Sequence, residues 1–297
     1  MSDPTLFQNA VEGTGPGWGT LSAQMEKQAL RHAQPVLVLS MGAKKFSLPT
    51  NSTKTLRLRR AVPYAAATTA LTEGVPPTAT DIEYVQIDVA LKQYGAFVRV
   101  TDQLVDLQQT PILSDINQLN AEQAAKTKEA LLWGMLQGSG ITYWAGGDST
   151  ESVSGVMDYD LQGRAVRTLN NNKAKRFTSI VTGGVKVGTM PVEASYICFT
   201  HTDAEKDIRQ MEGFVPVAKY GSQKPLCEQE LGSVDSVRYI LSPDLTQMDG
   251  SGVDASTAPT LISKDGSNVD VYTSVFVGMD AYGTLNLAGK GIFSPVV

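Results

Sequence analysis

Between Asn51 and Thr101 the chain reads Thr55-Leu-Arg-Leu-Arg-Arg-Ala-Val62, then, beyond Leu71-Thr-Glu-Gly-Val-Pro-Pro77, Tyr84-Val-Gln-Ile-Asp-Val-Ala-Leu-Lys92. Leu56 and Leu58 alternate with Arg57 and Arg59, and Val85, Ile87, Val89 and Leu91 alternate with Gln86, Asp88 and Lys92. Strict alternation predicts strands with two unlike faces. The connection, from about Pro63 to Asp81, is far longer than a hairpin turn needs, so the two arms form an extended ribbon. An isolated two-stranded ribbon is marginal in water. Its apolar face needs cover, and a neighbouring copy of the same chain is the natural cover. The pattern therefore points to assembly rather than catalysis.

At 297 residues the chain has room for one large domain or two modest ones. Apolar residues make up 42% and fill a core, while charged residues, at 19%, fall below the usual share, as on a surface covered by partners. A net charge of −5 offers no global basic field to nucleic acid. Cys198 and Cys227 stand far apart, with no Cys-x-x-Cys pair, and read as free thiols of a reducing compartment. The N-terminus carries Asp3 and Glu12 and lacks a basic region leading into an apolar run, so no secretory signal is expected. No apolar stretch reaches membrane-spanning length. A cytoplasm-like compartment without a membrane partner is the expectation.

Residues 1–19, with Gly13, Gly15, Pro16, Gly17 and Gly19, read as an arm. Thr20–Gln34 reads as a helix with Leu21, Met25 and Ala29 on one face and Pro35 after it. A longer helix is predicted from Ser114, as N-cap, to Gly138, with Asp115 at the dipole's positive end. Its expected seam is Ile116, Leu119, Gln123, Thr127, Leu131 and Met135, and Glu122 and Lys126 form an i,i+4 pair. At 1.5 Å per residue this rod is about 36 Å long. Further along come a helix at Asp160–Asn171, a buried strand at Ala194–Thr200, a helix near Asp203–Met211 capped by Asp203, and a strand at Val237–Ser242. Leu261–Ser263 and Val269–Ser274 flank an Asp-Gly turn, and Val275–Met279 is the last apolar strand. With mixed elements, no repeat and no regular βαβ alternation, the fold class is α+β.

Motifs for catalysis mostly fail. Gly283-x5-Gly289-Lys290-Gly291 has one residue too many for a phosphate loop, and Gly291 replaces the Ser/Thr that holds magnesium. The Gly13–Gly19 cluster follows no strand. No Gly-x-Ser-x-Gly elbow or His-Glu-x-x-His helix occurs. His201, at a strand end near Asp203, Glu205 and Asp207, is the best candidate base or ligand. Asp203 as a cap, with Glu205 and Asp207 on a solvated face, explains it more simply. Cys227 sits beside Glu228 and Glu230, which raise a thiol's pKa. No catalytic residue, cofactor or metal is expected.

Lys54, Arg57, Arg59 and Arg60 make the basic cluster, without interleaved aromatics and opposite Asp81, Glu83 and Asp88 on the return arm. Cross-strand or inter-subunit ion pairs are its expected use. Gly95, between Tyr94 and Phe97, reads as a bulge where the ribbon leaves the main body.

Arm, ribbon, long helix, mixed α/β region and final strand follow one another in an order that resembles the Hong Kong 97-type capsid fold of tailed phages. Leu71–Val75 with Pro77, Gln93-Tyr-Gly-Ala-Phe-Val98 before Thr101-Asp102, Glu230–Pro243 and Val277-Gly-Met-Asp-Ala-Tyr-Gly283 are similar to the N-four phage family of major capsid proteins. The likeness spans most of residues 20–290 in family order. It implies an N-terminal arm and helix over 1–50 and an extended loop over 51–92 that lies on an adjacent subunit. It also implies a peripheral domain over 93–190 and 270–297, with spine helix 114–138, and an axial domain over 191–269. Arg57, Arg59, Arg60, Glu73, Asp81, Glu83 and Asp88 are the implied inter-subunit contacts. The implied partners are copies of the chain in pentamers and hexamers, with portal, scaffolding and decoration proteins, and double-stranded DNA packed without sequence readout. The implied location is the virion, after assembly in the host cytoplasm. Shell proteins of bacterial encapsulin compartments share the fold and form the alternative, with a small hydrolase using His201 further away.

Overall fold

A computed structural model of the chain describes residues 37–51, 53–70, 73–74, 79–99, 112–182, 188–220 and 225–288. The expected arm and the Thr20–Gln34 helix lie outside them. In chain order the first elements are β1 (Lys44–Leu48), β2 (Thr55–Ala61), β3 (Tyr84–Ala90), α1 (Ile112–Gln137) and α2 (Tyr159–Asn171). Then come β4 (Phe177–Thr182), β5 (Gly188–Thr200), α3 (Glu205–Gln210) and β6 (Phe214–Pro216). The last are β7 (Glu230–Val234), β8 (Val237–Leu241), β9 (Val275–Val277) and β10 (Gly283–Leu287). The chain divides into two compact units. Among the described residues the smaller holds those within Lys45–Gly95 and 285–288, and the larger those within 37–44 and Ala96–Thr284.

The larger unit is organised on β5. Its first half pairs antiparallel with β4, and its second half lies between β8, parallel, and β9, antiparallel. The sheet continues from β8 to β7 and β6. A strand buried on both faces reads as an unbroken apolar run, which is why the end of β5 is one. Ile197 and Phe199 enter a cluster with Leu39, Trp133, Leu136 and Tyr282. Tyr196 and Cys198 enter another with Ile208, Met211, Val237 and Tyr239. One face of the sheet is thus covered by α1 and a 3-10 turn at Leu39–Met41, the other by α2 and α3. Each large side chain buried here contributes about 1.5–3 kcal/mol.

Several polar groups link these layers. The Asp158 carboxylate caps α2 by accepting the Leu161 N–H at 2.8 Å. Buried Gln162 donates to the Val234 carbonyl (3.1 Å) and accepts the Tyr239 hydroxyl (2.6 Å), tying α2 to β7 and β8. Glu230 on β7 accepts the Tyr220 hydroxyl (2.9 Å), Arg238 Nη1 (3.4 Å) and the Leu226 N–H. The Arg238 guanidinium also lies over the Tyr220 ring, 5.1 Å from its centroid.

Three sequence expectations need correction. Helix α1 starts two residues before Ser114, which lies inside it, and its buried positions are Asn117, Ala121, Ala125, Glu129, Trp133 and Leu136. Leu119, Leu131 and Met135 of the expected seam are exposed. The buried ridge steps by four residues and is small or polar through its first half, so apolarity marked the wrong face. Glu122 meets Gln118 (3.1 Å) rather than Lys126. No ladder flanks the Asp265-Gly266 turn; there the buried Asp270 carboxylate accepts the N–H groups of Gly250 (2.8 Å) and Lys264 (3.0 Å), doing by side chain what strand pairing would do.

Candidate assembly interface

In the smaller unit β2 and β3 pair antiparallel with Leu56 opposite Val89, Leu58 opposite Ile87 and Arg60 opposite Val85. Arg57 opposite Asp88 and Arg59 opposite Gln86 belong to the other face. The alternation read from sequence is therefore the alternation of the ribbon's faces. Among the described residues nothing closes the apolar face: Leu56, Leu58 and Val89 are half-buried, and Val85 and Ile87 are 50% and 58% exposed. Val62, Tyr64 and Ile82 near the ribbon's open end are exposed as well, and so is Tyr84, which stands opposite Ala61 on the Arg57–Asp88 face. Contiguous exposed apolar area of this kind marks an interaction surface. Sequence reading named the ribbon's charged residues as contacts and passed over these, although aromatic and β-branched residues beyond the alternating runs were the signal.

Of the expected contact residues, Arg57 and Asp88 meet each other. Arg57 Nε and Nη2 donate to the two Asp88 oxygens at 2.7 and 2.9 Å, a bidentate cross-strand pair. The hydrogen bond from Arg57 holds the Asp88 carboxyl below its usual range, and Asp88 raises the guanidinium in turn. The sign is that of a depressed acid: the pair's contribution is present above the ordinary carboxylate pKa and is lost as pH falls through the lowered one. Replacing Arg57 by Gln is expected to bring the Asp88 titration, followed by carboxyl NMR, back up; an unchanged titration would contradict the pairing.

Arg59, Arg60, Asp81 and Glu83 are exposed and make no ion pair among the described residues. Glu73 sits with Gly74 (φ +81°) in an exposed turn, away from any described cation within salt-bridge distance. Residues 91–99 form no strand, so Gly95 is not a ladder bulge; it is instead where the smaller unit ends.

The catalytic candidates serve structure. His201 Nδ1 accepts the Asp203 N–H (3.1 Å), so His201, and not Asp203, caps the turn at Thr202–Ala204. A nitrogen that accepts this bond carries no proton, so its 3.3 Å approach to Asp203 Oδ2 is not an ion pair in that tautomer. The Asp203 carboxylate instead accepts the Tyr272 hydroxyl (2.7 Å), and Glu205 pairs with Arg209 (2.8 Å). Burial pushes the Cys227 thiol up to about 11. Among the described residues no group of three or more His, Cys, Asp or Glu is placed to hold a metal, and no helix is long and apolar enough to cross a membrane.

Comparison with known proteins finds likenesses among phage capsid proteins. The major capsid protein of Pseudomonas phage KPP21 is 21% identical over 238 residues, 73% of this chain and 60% of that protein. The chain thus spans about 60% of the length of this curated relative. The capsid of Ralstonia phage GP4 superposes with a TM-score of 0.56 at 10% identity, over 80% of this chain and 72% of that one. The head structure of Helicobacter pylori bacteriophage KHP40 gives 0.54 at 13% identity, over 82% and 72%. The fold is the α+β capsid fold of the Hong Kong 97 type. The family model for phage capsid protein matches residues 83–291, well over half of the 297, and the chain belongs to that family.

Proposed function

We propose that the protein is the major capsid protein of a tailed phage, self-assembling through pentamers and hexamers into an icosahedral shell around double-stranded DNA. The observation that carries this reading is the ribbon's apolar face, which the described residues leave open. In a shell, residues 51–92 lie over the adjacent subunit, and that subunit supplies the missing cover. Arg59, Arg60, Glu73, Asp81 and Glu83 then serve as rim contacts that set the register between subunits. Residues 93–190 and 270–297, with the helix over 114–138, form the peripheral domain, and 191–269 the axial domain. With a net charge of −5, contact with packaged DNA is local and independent of sequence. Portal, scaffolding and decoration proteins complete the particle, which is built in the host cytoplasm.

Deleting Thr68–Thr80 tests the proposal. The expected outcome is a folded subunit that forms no particle in negative-stain micrographs, while the unaltered chain gives closed shells tens of nanometres across. Normal shells from the deletion would overturn the role of the ribbon. A uniform dimer or tetramer from the unaltered chain would overturn the shell.

A further inference from the structure

The larger unit holds one ionisable group whose placement the shell reading does not use. Glu129, on α1, is 2% exposed and bonds to Leu39, a member of the buried cluster that also holds Trp133, Leu136, Leu245 and Tyr282. Its Oε2 accepts the Leu39 N–H at 3.0 Å, and the Tyr282 hydroxyl donates to the Leu39 carbonyl. Leu39 is thus gripped at both its backbone groups by side chains distant in sequence. Glu129 Oε1 is buried without a hydrogen-bond partner among the described residues, and so is the Ser40 hydroxyl of the same turn. An ionised carboxylate can only accept, so Ser40 would have to serve it as donor, which it does not do here. Ionisation would leave a charge on that buried, unpaired oxygen, whereas a proton on it removes the charge.

We propose that Glu129 is a proton-operated clasp, which holds the Leu39–Met41 turn on α1 when protonated and loosens it when ionised. The surroundings fit this. Burial is the largest influence and carries the carboxyl up to about 7; the Leu39 N–H, Lys128 on the same helix and the Ser40 N–H pull it down, and Asp244, after β8, pushes it up. Tyr282 faces it from the segment before β10 and is itself raised, by burial first and by Glu129 second. The sign follows from a folded value above the ordinary one: the clasp's contribution is fully present below about 4.5 and is lost as pH rises through about 7. Opening that exposes the carboxyl therefore becomes about tenfold more frequent per pH unit between those limits and levels off above them.

The test is hydrogen–deuterium exchange of the full chain from pH 5 to 8.5, corrected for the intrinsic rate and read on peptides covering residues 37–43. Opening of this turn should rise about tenfold per pH unit and flatten above about pH 7, whereas E129Q should be flat throughout. The glutamine keeps an acceptor for Leu39 and carries no charge, so it mimics the protonated form. Should E129Q not fold, E129M, of similar volume, is equally without a proton to lose and takes its place. Infrared spectra of the unaltered protein give a second reading: a buried carboxylic-acid band present at pH 6 and gone by pH 8.5. Equal pH slopes in the variant and the unaltered chain, or no such band at pH 6, would overturn the clasp.

Discussion

Replacing Ile87 by aspartate is expected to abolish particle formation while leaving the subunit as stable as before. Ile87 lies at the centre of the ribbon's apolar face, opposite Leu58 and between Val85 and Val89, and the described residues leave more than half of it exposed. A charge added at an exposed position costs a fold little, usually within about 0.5 kcal/mol. The same charge pressed into an apolar contact between subunits has no partner there and keeps the contact from closing. A shell multiplies that penalty, because every subunit brings the same defect. The check is particle yield by sedimentation and microscopy beside a melting curve of the purified subunit. Shells in normal yield from Ile87→Asp would remove the ribbon from the assembly. A large loss of melting temperature would show that the face is covered at home.

The second large effect is on stability. Arg238→Met should destabilise the subunit by about 3–5 kcal/mol, because it leaves the Glu230 carboxylate buried without its cation. The side chains of both partners are nearly wholly buried, and the Tyr220 hydroxyl and Leu226 N–H alone are left to hold the charge. Burial already raises the Glu230 pKa, against the pull of its hydrogen bonds and of Arg238. Removal of Arg238 raises it further, so the variant should recover part of its stability as pH falls and Glu230 takes up a proton. Glu230→Gln combined with Arg238→Met should be less damaged at neutral pH than Arg238→Met alone, since the stranded charge is then gone. Urea denaturation at pH 5 and pH 8 reads all three. An Arg238→Met loss under about 1 kcal/mol at pH 8 would mean that the pair does not hold β7, β8 and the Tyr220 loop together.

Several parts of the fold were legible in the residues. The ribbon's two faces follow from alternation, because a strand projects successive side chains to opposite sides whatever surrounds it. The end of β5 follows from an unbroken apolar run, and the helix read over Asp160–Asn171 is α2, although its Asp158 cap was not read. The buried face of α1 was not legible. Small residues and Glu129 line it, and what makes a small residue a core residue is the element that comes to lie on it. The cap at Thr202 was assigned to the wrong side chain, since Asp203 and His201 are both able acceptors and Tyr272, from a distant segment, claims the aspartate. Asp270 was missed for the same reason: its partners Gly250 and Lys264 come from loops without periodicity.

By itself the sequence determined the class of the fold, the ribbon and the uncovered apolar face that argues for assembly, all of which rest on near-neighbour periodicity. The tertiary structure decided which charges neutralise each other, which histidine and acids are structural, and which carboxyl is enclosed. Those outcomes depend on contacts between residues tens to hundreds of positions apart, such as Leu39 with Glu129 and Tyr282, and no local pattern encodes the desolvation that such contacts impose.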